Sequence, residues 1–229
     1  MFLKMNYFYE KATSMVHELS KSNSIFATFL GEIRDSNIQK DAMRFRKNME
    51  RISEILGYEL SKKLEYISKT VKTPLGDAEI HVLKEQPVLA TILRAGLAMH
   101  NGLLNYFDSS ECAFISAYRK HTSLEEFDIH VEYLASPKLD NRIVILSDPM
   151  LATGSSLVTV YKALLKQGKP SKIIIVAAIA TPDALEYIQR HLPENTDFWV
   201  GAIDKELTAQ SYIVPGLGDA GDLAFGEKY

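Results

Sequence analysis

Apolar residues recur at helical spacing from about Asn37 to Leu64, where Ile38, Met43, Phe45, Met49, Ile52, Leu56, Leu60 and Leu64 mark the pattern. This predicts a long amphipathic helix whose apolar face either covers a core or serves a partner subunit. Thr73-Pro-Leu-Gly-Asp77 then reads as a turn. Beyond it, short apolar runs alternate with helical patterns. Pro87 to Leu93 reads as a strand, Gly96 to Tyr106 as a helix and Cys112 to Tyr118 as the next strand. Ile143 to Leu146 is another buried strand. The helix after it carries Leu157, Val160, Tyr161, Leu164 and Leu165 on one face and is stopped by Gly168 and Pro170. Ile173 to Ile179 is a β-branched run, Thr181-Pro182-Asp183 caps a helix, and Phe198 to Ile203 is the last clear strand.

Such alternation implies an α/β fold, a parallel sheet with helices on both faces. Ligands then bind at the carboxyl ends of the strands. One segment differs: Phe127, Ile129, Val131 and Tyr133 alternate with Asp128, His130 and Glu132, which predicts a half-exposed strand. Paired with Cys112–Tyr118 it makes an antiparallel β-arm near 115–136, with Arg119, Lys120, His121 and Glu125 at its turn. The organisation expected is one domain over 1–229. A mainly helical part spans 1–70, the α/β core 71–204, and a small C-terminal hood 205–229.

Composition narrows the function classes. At 229 residues and 46% hydrophobic content the chain can bury a sizeable core. A net charge of −3 gives no general basic field, so nucleic-acid and membrane partners are not expected. The single cysteine, Cys112, excludes an internal disulfide and fits a reducing compartment. The opening Met-Phe-Leu-Lys-Met-Asn lacks the apolar core of a signal peptide, and the run from Ile173 to Ala180 is too short for a bilayer. A cytoplasmic protein is expected. The histidines show no paired metal spacing, so no zinc site is expected.

The most informative stretch joins the strand Ile143–Leu146 to its helix through Asp148-Pro149-Met150-Leu151-Ala152-Thr153-Gly154-Ser155-Ser156. First-turn N–H groups without helical partners, the helix dipole and three hydroxyls make an anion cradle. Gly154 lets a phosphate approach the backbone, and Asp148 can accept from sugar hydroxyls beside it. The residues suggest a ribose 5-phosphate site. The loop is not a Walker A motif, and ordinary capping by Thr and Ser is the competing explanation.

Three further segments carry chemistry. Ile92-Leu-Arg-Ala-Gly-Leu97 places Arg94 at a strand end, either forked onto phosphate oxygens or in a surface ion pair. Arg119-Lys-His121 is either a cationic lid for pyrophosphate or a solvated hairpin turn. Tyr212-Ile-Val-Pro-Gly-Leu-Gly-Asp-Ala-Gly-Asp222 matches G-x-G-x-x-G formally, but a dinucleotide fingerprint needs a helix and another strand behind it and only Asp222 to Tyr229 follow, so a dinucleotide site is not expected. It reads instead as a rigid loop offering backbone donors and acceptors to a flat base such as uracil, with Asp219 orienting ribose, pyrophosphate or a metal-bound water.

Together these residues resemble the type I phosphoribosyltransferases, and specifically the uracil phosphoribosyltransferase family. Asp148–Ser156 is similar to that family's phosphoribosyl pyrophosphate (PRPP) loop, Ile92–Leu97 to its pyrophosphate loop and Tyr212–Asp222 to its uracil loop. The resemblance implies transfer of phosphoribose from PRPP to uracil with Mg²⁺, giving UMP and diphosphate. It assigns Arg94, Arg119 and Asp219 to catalysis, and those three with Asp148, Pro149, Met150, Leu151, Ala152, Thr153, Gly154, Ser155 and Ser156 to PRPP. Ile213, Gly218, Asp219 and Ala220 would hold uracil, largely through backbone. The metal would be carried by PRPP and water rather than by side chains, and the protein would be a homodimer or higher homo-oligomer. Three departures stand out: Ser155 where many relatives have glycine, Leu223 where an arginine often follows Asp222, and the Arg119-Lys-His-Thr-Ser arm. A pyrimidine-responsive RNA-binding regulator and a transferase for another base are the alternatives. Near-neutral charge opposes the first, and the uracil loop with a single acid at Asp148 opposes the second.

Overall fold

Ile173, Ile174, Ile175 and Val176 are at most 2% exposed, as befits a β-branched run covered on both faces of a sheet. The computed structural model describes residues 15–121 and 127–228, with side chains described outside 118–130. In chain order the elements begin with β1 (Val16–Glu18), α1 (Ile25–Arg34), α2 (Ala42–Ser61), β2 (Tyr66–Thr73) and β3 (Gly76–Leu83). There follow β4 (Val88–Leu93), α3 (Leu97–Tyr106), β5 (Cys112–His121), β6 (Phe127–Ala135), β7 (Ile143–Ser147) and β8 (Met150–Leu151). The chain continues through α4 (Ser155–Leu164), β9 (Lys172–Ala180), α5 (Pro182–His191) and β10 (Asp197–Ile203). It closes with β11 (Glu206–Leu207), β12 (Ile213–Val214) and α6 (Ala220–Phe225).

The main sheet runs β1-β10-β9-β7-β4-β5-β6, parallel throughout except for the antiparallel β5–β6 arm. Alternate residues of each strand feed two cores. Leu89, Ile145, Ile174, Val176 and Trp199 face α1, α2, α3 and the C-terminal segment. Val88, Ala90, Val144, Leu146, Ile173, Ile175 and Val200 face α4 and α5. Each fully buried aliphatic side chain contributes about 1.5–3 kcal/mol, so this two-sided layering holds the strand ends that form the site.

The long helix is shorter than its periodicity predicts. The Asp41 carboxylate accepts the Arg44 N–H at 3.1 Å and starts α2 there. Asn37 instead lies in a turn whose N–H bonds the Asp35 carboxylate at 2.8 Å. Phe45, Met49, Ile52, Leu56 and Leu60 form the buried stripe, while Met43 stays 69% exposed. The part expected to be mainly helical also contains β1, which pairs with β10, and the first strand of the β2–β3 hairpin. The expected turn at Thr73–Asp77 is the tip of that hairpin. The Gly-rich C-terminal loop is broken by α6, which Asp219 caps. Among the described residues no helix is long and apolar enough to cross a membrane. Met1–Asn6 and Glu125 lie outside the described residues.

Candidate active site

Parallel pairing brings the chemistry to one sheet edge. Thr91 of β4 is in register with Ser147 of β7, so both strands deliver their next loops, with Arg94 and Asp148, to the same carboxyl end of the sheet. From Asp148 the chain hugs β9. The Asp148 N–H donates to the Val176 carbonyl at 3.1 Å, and the Pro149 carbonyl accepts from Ala178 and Ile179. Met150 and Leu151 then pair with Ile179 and Ala180 as β8. The Thr181 hydroxyl donates to the Ala152 carbonyl at 2.7 Å. These bonds fix the loop before any ligand arrives.

Gly154 is the N-cap of α4 with φ +77°. A Cβ there would lie 2.8 Å from Ile188 Cγ1 and 2.9 Å from the Ala184 carbonyl oxygen, so packing against α5 demands glycine. Ser155 answers one departure from the family pattern: its hydroxyl sits 2.8 Å from that of Thr153, tying the two sides of the loop. Asp148, Met150, Leu151, Ala152, Thr153, Gly154, Ser156 and Leu157 enclose a pocket of ≈ 50 Å³. Asp148 keeps part of its surface toward this pocket, yet burial pushes its carboxyl up to about 7, opposed by the Met150 N–H that bonds it.

The structure brings the arginine loop against the hood. Arg94 Nη2 lies 3.1 Å from Asp222 Oδ1 and 3.1 Å from the Gly226 carbonyl oxygen. Leu93–Arg94 and Val214–Pro215 are cis peptide bonds. The arm pairs Arg119 with Ile129 in the backbone, but the side chains of Arg119, Lys120 and His121 lie outside the described residues.

In the hood, Asp219 Oδ1 accepts the N–H groups of Gly221 at 2.8 Å and Asp222 at 3.0 Å. Its Oδ2 faces Lys228 Nζ at 3.7 Å. The Ala220 N–H is the first-turn donor that Asp219 leaves unsatisfied, and Gly218 beside it is exposed. Ile213 belongs to β12, opposite Leu207, with its side chain buried in the core. Leu223 packs under the loop: a Cβ on Gly218 would meet its Cδ1 at 3.8 Å. Four residues without a local sequence signal hold the hood. Arg34 forks onto Asp204 at 2.7 and 2.9 Å, Gln39 donates to the Leu217 carbonyl at 3.1 Å and Arg46 to the Ala224 carbonyl at 2.6 Å. Their partners are up to 182 residues away, so only the tertiary fold reveals them.

Among the described residues no group of three or more His, Cys, Asp or Glu stands together to hold a metal. In the hood, Asp222 meets Arg94 at 3.1 Å and Asp219 caps α6.

A family model for uracil phosphoribosyltransferase matches residues 20–227. A uracil phosphoribosyltransferase of Porphyromonas gingivalis is 54% identical over 93% of this chain and 99% of its own length. One from Methanococcus vannielii is 39% identical over 84% of this chain and 83% of its own. A solved structure of an Aquifex aeolicus protein superimposes with a TM-score of 0.81 at 32% identity, covering 93% of this chain and 98% of that one. The chain belongs to the uracil phosphoribosyltransferase family.

Proposed function

We propose that the chain transfers the phosphoribosyl group from PRPP to N1 of uracil, giving UMP and diphosphate in pyrimidine salvage. The observation that carries this reading is the convergence of an anion loop, an arginine loop and a glycine-rich base loop at one sheet edge, with Arg94 touching Asp222. Membership of the uracil phosphoribosyltransferase family supports it.

The roles follow from the chemistry. Cleaving the bond from the anomeric carbon to diphosphate leaves positive charge on the ribose and negative charge on the departing group. Arg94 and Arg119 donate to that group as its charge grows. The 5-phosphate sits at the N-terminus of α4, held by backbone N–H groups and the hydroxyls of Thr153, Ser155 and Ser156. Pro149 to Ala152 shape the pocket floor, and Asp148 accepts from the ribose hydroxyls. Ile213, Gly218 and Ala220 present backbone groups to uracil, and Asp219 is assigned to the sugar–diphosphate side. The N1 proton leaves to water or to Asp219. Catalysis by this chain is mostly positioning and electrostatic stabilisation.

Mg²⁺ is the cofactor of this reading. The residues fit a metal that arrives on the substrate, since Mg²⁺ commonly takes one or two carboxylates, several waters and phosphate oxygens. Asp219, whose Oδ2 lies 3.7 Å from Lys228 Nζ, would orient a metal-bound water rather than hold the ion directly. Bound on the substrate, the ion would neutralise charge on the diphosphate.

A homodimer or higher homo-oligomer in the cytoplasm completes the reading. Ile67 and Ile80 share one face of the two-stranded β2–β3 sheet and are 48% and 38% exposed, which supports a second copy as the covering partner. The single cysteine supports a reducing compartment. The test is incubation with PRPP, Mg²⁺ and uracil: UMP and diphosphate should form in equal amounts, and omitting Mg²⁺ should stop turnover. No UMP would overturn the proposal.

A further inference from the structure

We infer that Arg34 and Asp204 are positioning residues for base recognition, a clamp that sets the uracil-reading loop without touching the substrate. The inference rests on the transferase reading above and deepens it. Arg34 ends α1 and Asp204 directly follows β10, so both stand on the rigid core. Asp204 is only 7% exposed, and its N–H is bonded to the Ala180 carbonyl at 2.8 Å. The two side chains pair bidentately at 2.7 and 2.9 Å.

The pair then grips a single residue of the loop from both sides. Asp204 Oδ2 accepts the Gly216 N–H at 3.0 Å, and Arg34 Nη1 donates to the Gly216 carbonyl at 3.1 Å. Gly216 has φ +58°, and a Cβ there would fall 2.0 Å from the Ile213 carbonyl oxygen. The turn from Ile213 to Gly216 is therefore fixed by sterics as well as by hydrogen bonds. Gln39 takes the next carbonyl, that of Leu217, at 3.1 Å. Gly218, the next residue along, is exposed and is assigned to read the base.

A backbone reader has no rotamers with which to correct an error. Its accuracy depends on where its peptide planes sit, and displacements near 1 Å cost rate steeply. The planar fork holds both carboxylate oxygens and the Gly216 carbonyl from two nitrogens in a fixed geometry that a single ammonium nitrogen does not reproduce.

Arg34→Lys and Asp204→Asn in the full chain test this. The readouts are KM for uracil and for PRPP, and the kcat/KM ratio of uracil to 4-thiouracil. That ratio does not depend on how much enzyme is correctly folded. A uracil KM raised roughly tenfold, a fallen ratio and a PRPP KM within about twofold of wild type are expected. Should either variant fold poorly, Arg34→Met with Asp204→Leu removes the clamp without leaving a buried charge, and the same pattern is expected. Unchanged uracil KM and ratio, or losses equal for both bases, would overturn the inference. A wild type that makes no UMP would overturn the transferase reading and this inference with it. An active wild type with indifferent variants would overturn this inference alone.

Discussion

Arg94 and Asp222, 128 residues apart in sequence, meet at 3.1 Å between the arginine loop and the hood. The contact has a consequence for ligand binding. The guanidinium assigned to diphosphate is held through Nη2 by a carboxylate and the Gly226 carbonyl, so an incoming anion meets the Nη1 and Nε donors beside a competing carboxylate. With side-chain exposures of 42% and 32%, the ion pair is worth about 0–1 kcal/mol to stability.

Arg94→Ala should therefore lower kcat by roughly 10²–10³, the range for losing one donor to developing charge, with little change in thermal melting. Asp222→Asn should melt like wild type while binding PRPP at least as tightly, because its arginine is released. Steady-state kinetics beside differential scanning calorimetry would check both. An Arg94→Ala enzyme with wild-type kcat would remove the arginine from the mechanism.

Asp148 sets a pH dependence whose sign follows from burial. Its carboxyl rises from the ordinary 3.8 to about 7 in the fold, so the folded chain holds this proton more tightly than the unfolded one. The stability it contributes is full below pH 3.8 and is lost as pH rises through about 7. Asp148→Asn, which never ionises, should accordingly melt above wild type at about pH 8 and lose that advantage in acid. The same variant should bind PRPP less tightly, since the charged acceptor for ribose hydroxyls is gone. In the wild type, KM for PRPP should rise as pH falls below about 7, when the acid becomes neutral. A flat PRPP KM across that window would contradict the role given to Asp148.

The Thr153–Ser155 hydroxyl contact predicts a small, separable effect. Ser155→Ala removes one hydrogen bond of about 1 kcal/mol and frees the Thr153 hydroxyl, so KM for PRPP should rise by about fivefold at most. Thr153→Ala should cost more, because it removes both a hydroxyl assigned to the phosphate and the acceptor of the Ser155 N–H, 3.4 Å away, whereas Ser155→Ala keeps that backbone contact. Isothermal titration with PRPP would rank the two, and a larger loss for Ser155→Ala would reverse their roles.

Which features could be read from residues alone follows a physical divide. The runs Pro87–Leu93, Ile143–Leu146 and Ile173–Ile179 announce themselves because a strand covered on both faces needs unbroken apolar residues. Thr181-Pro182 marks the start of α5 because the Thr181 hydroxyl accepts the Ala184 N–H at 3.0 Å. The β2–β3 hairpin escapes notice, since Lys69 interrupts the apolar face of Ile67, Val71, Ile80 and Val82. β1 exists only through pairing with β10, far along the chain. The start of α2 shifts from Asn37 to Asp41 because a cap overrides apolar spacing that continues through Ile38. In the site, the loops carry their chemistry in local sequence, whereas Arg34, Gln39, Arg46 and Asp204 bond partners as much as 170 or more residues away. Gly154 was legible as a special position, but for α5 packing as much as for phosphate approach.

A phosphoribosyl transfer site directed to uracil should select that base in open competition. The wild-type chain is given PRPP and Mg²⁺ with equal concentrations of uracil, cytosine and hypoxanthine, and the nucleotides formed are resolved by mass. UMP as the sole product is the predicted result. A purine or cytidine nucleotide in comparable yield, or no nucleotide at all, would contradict it.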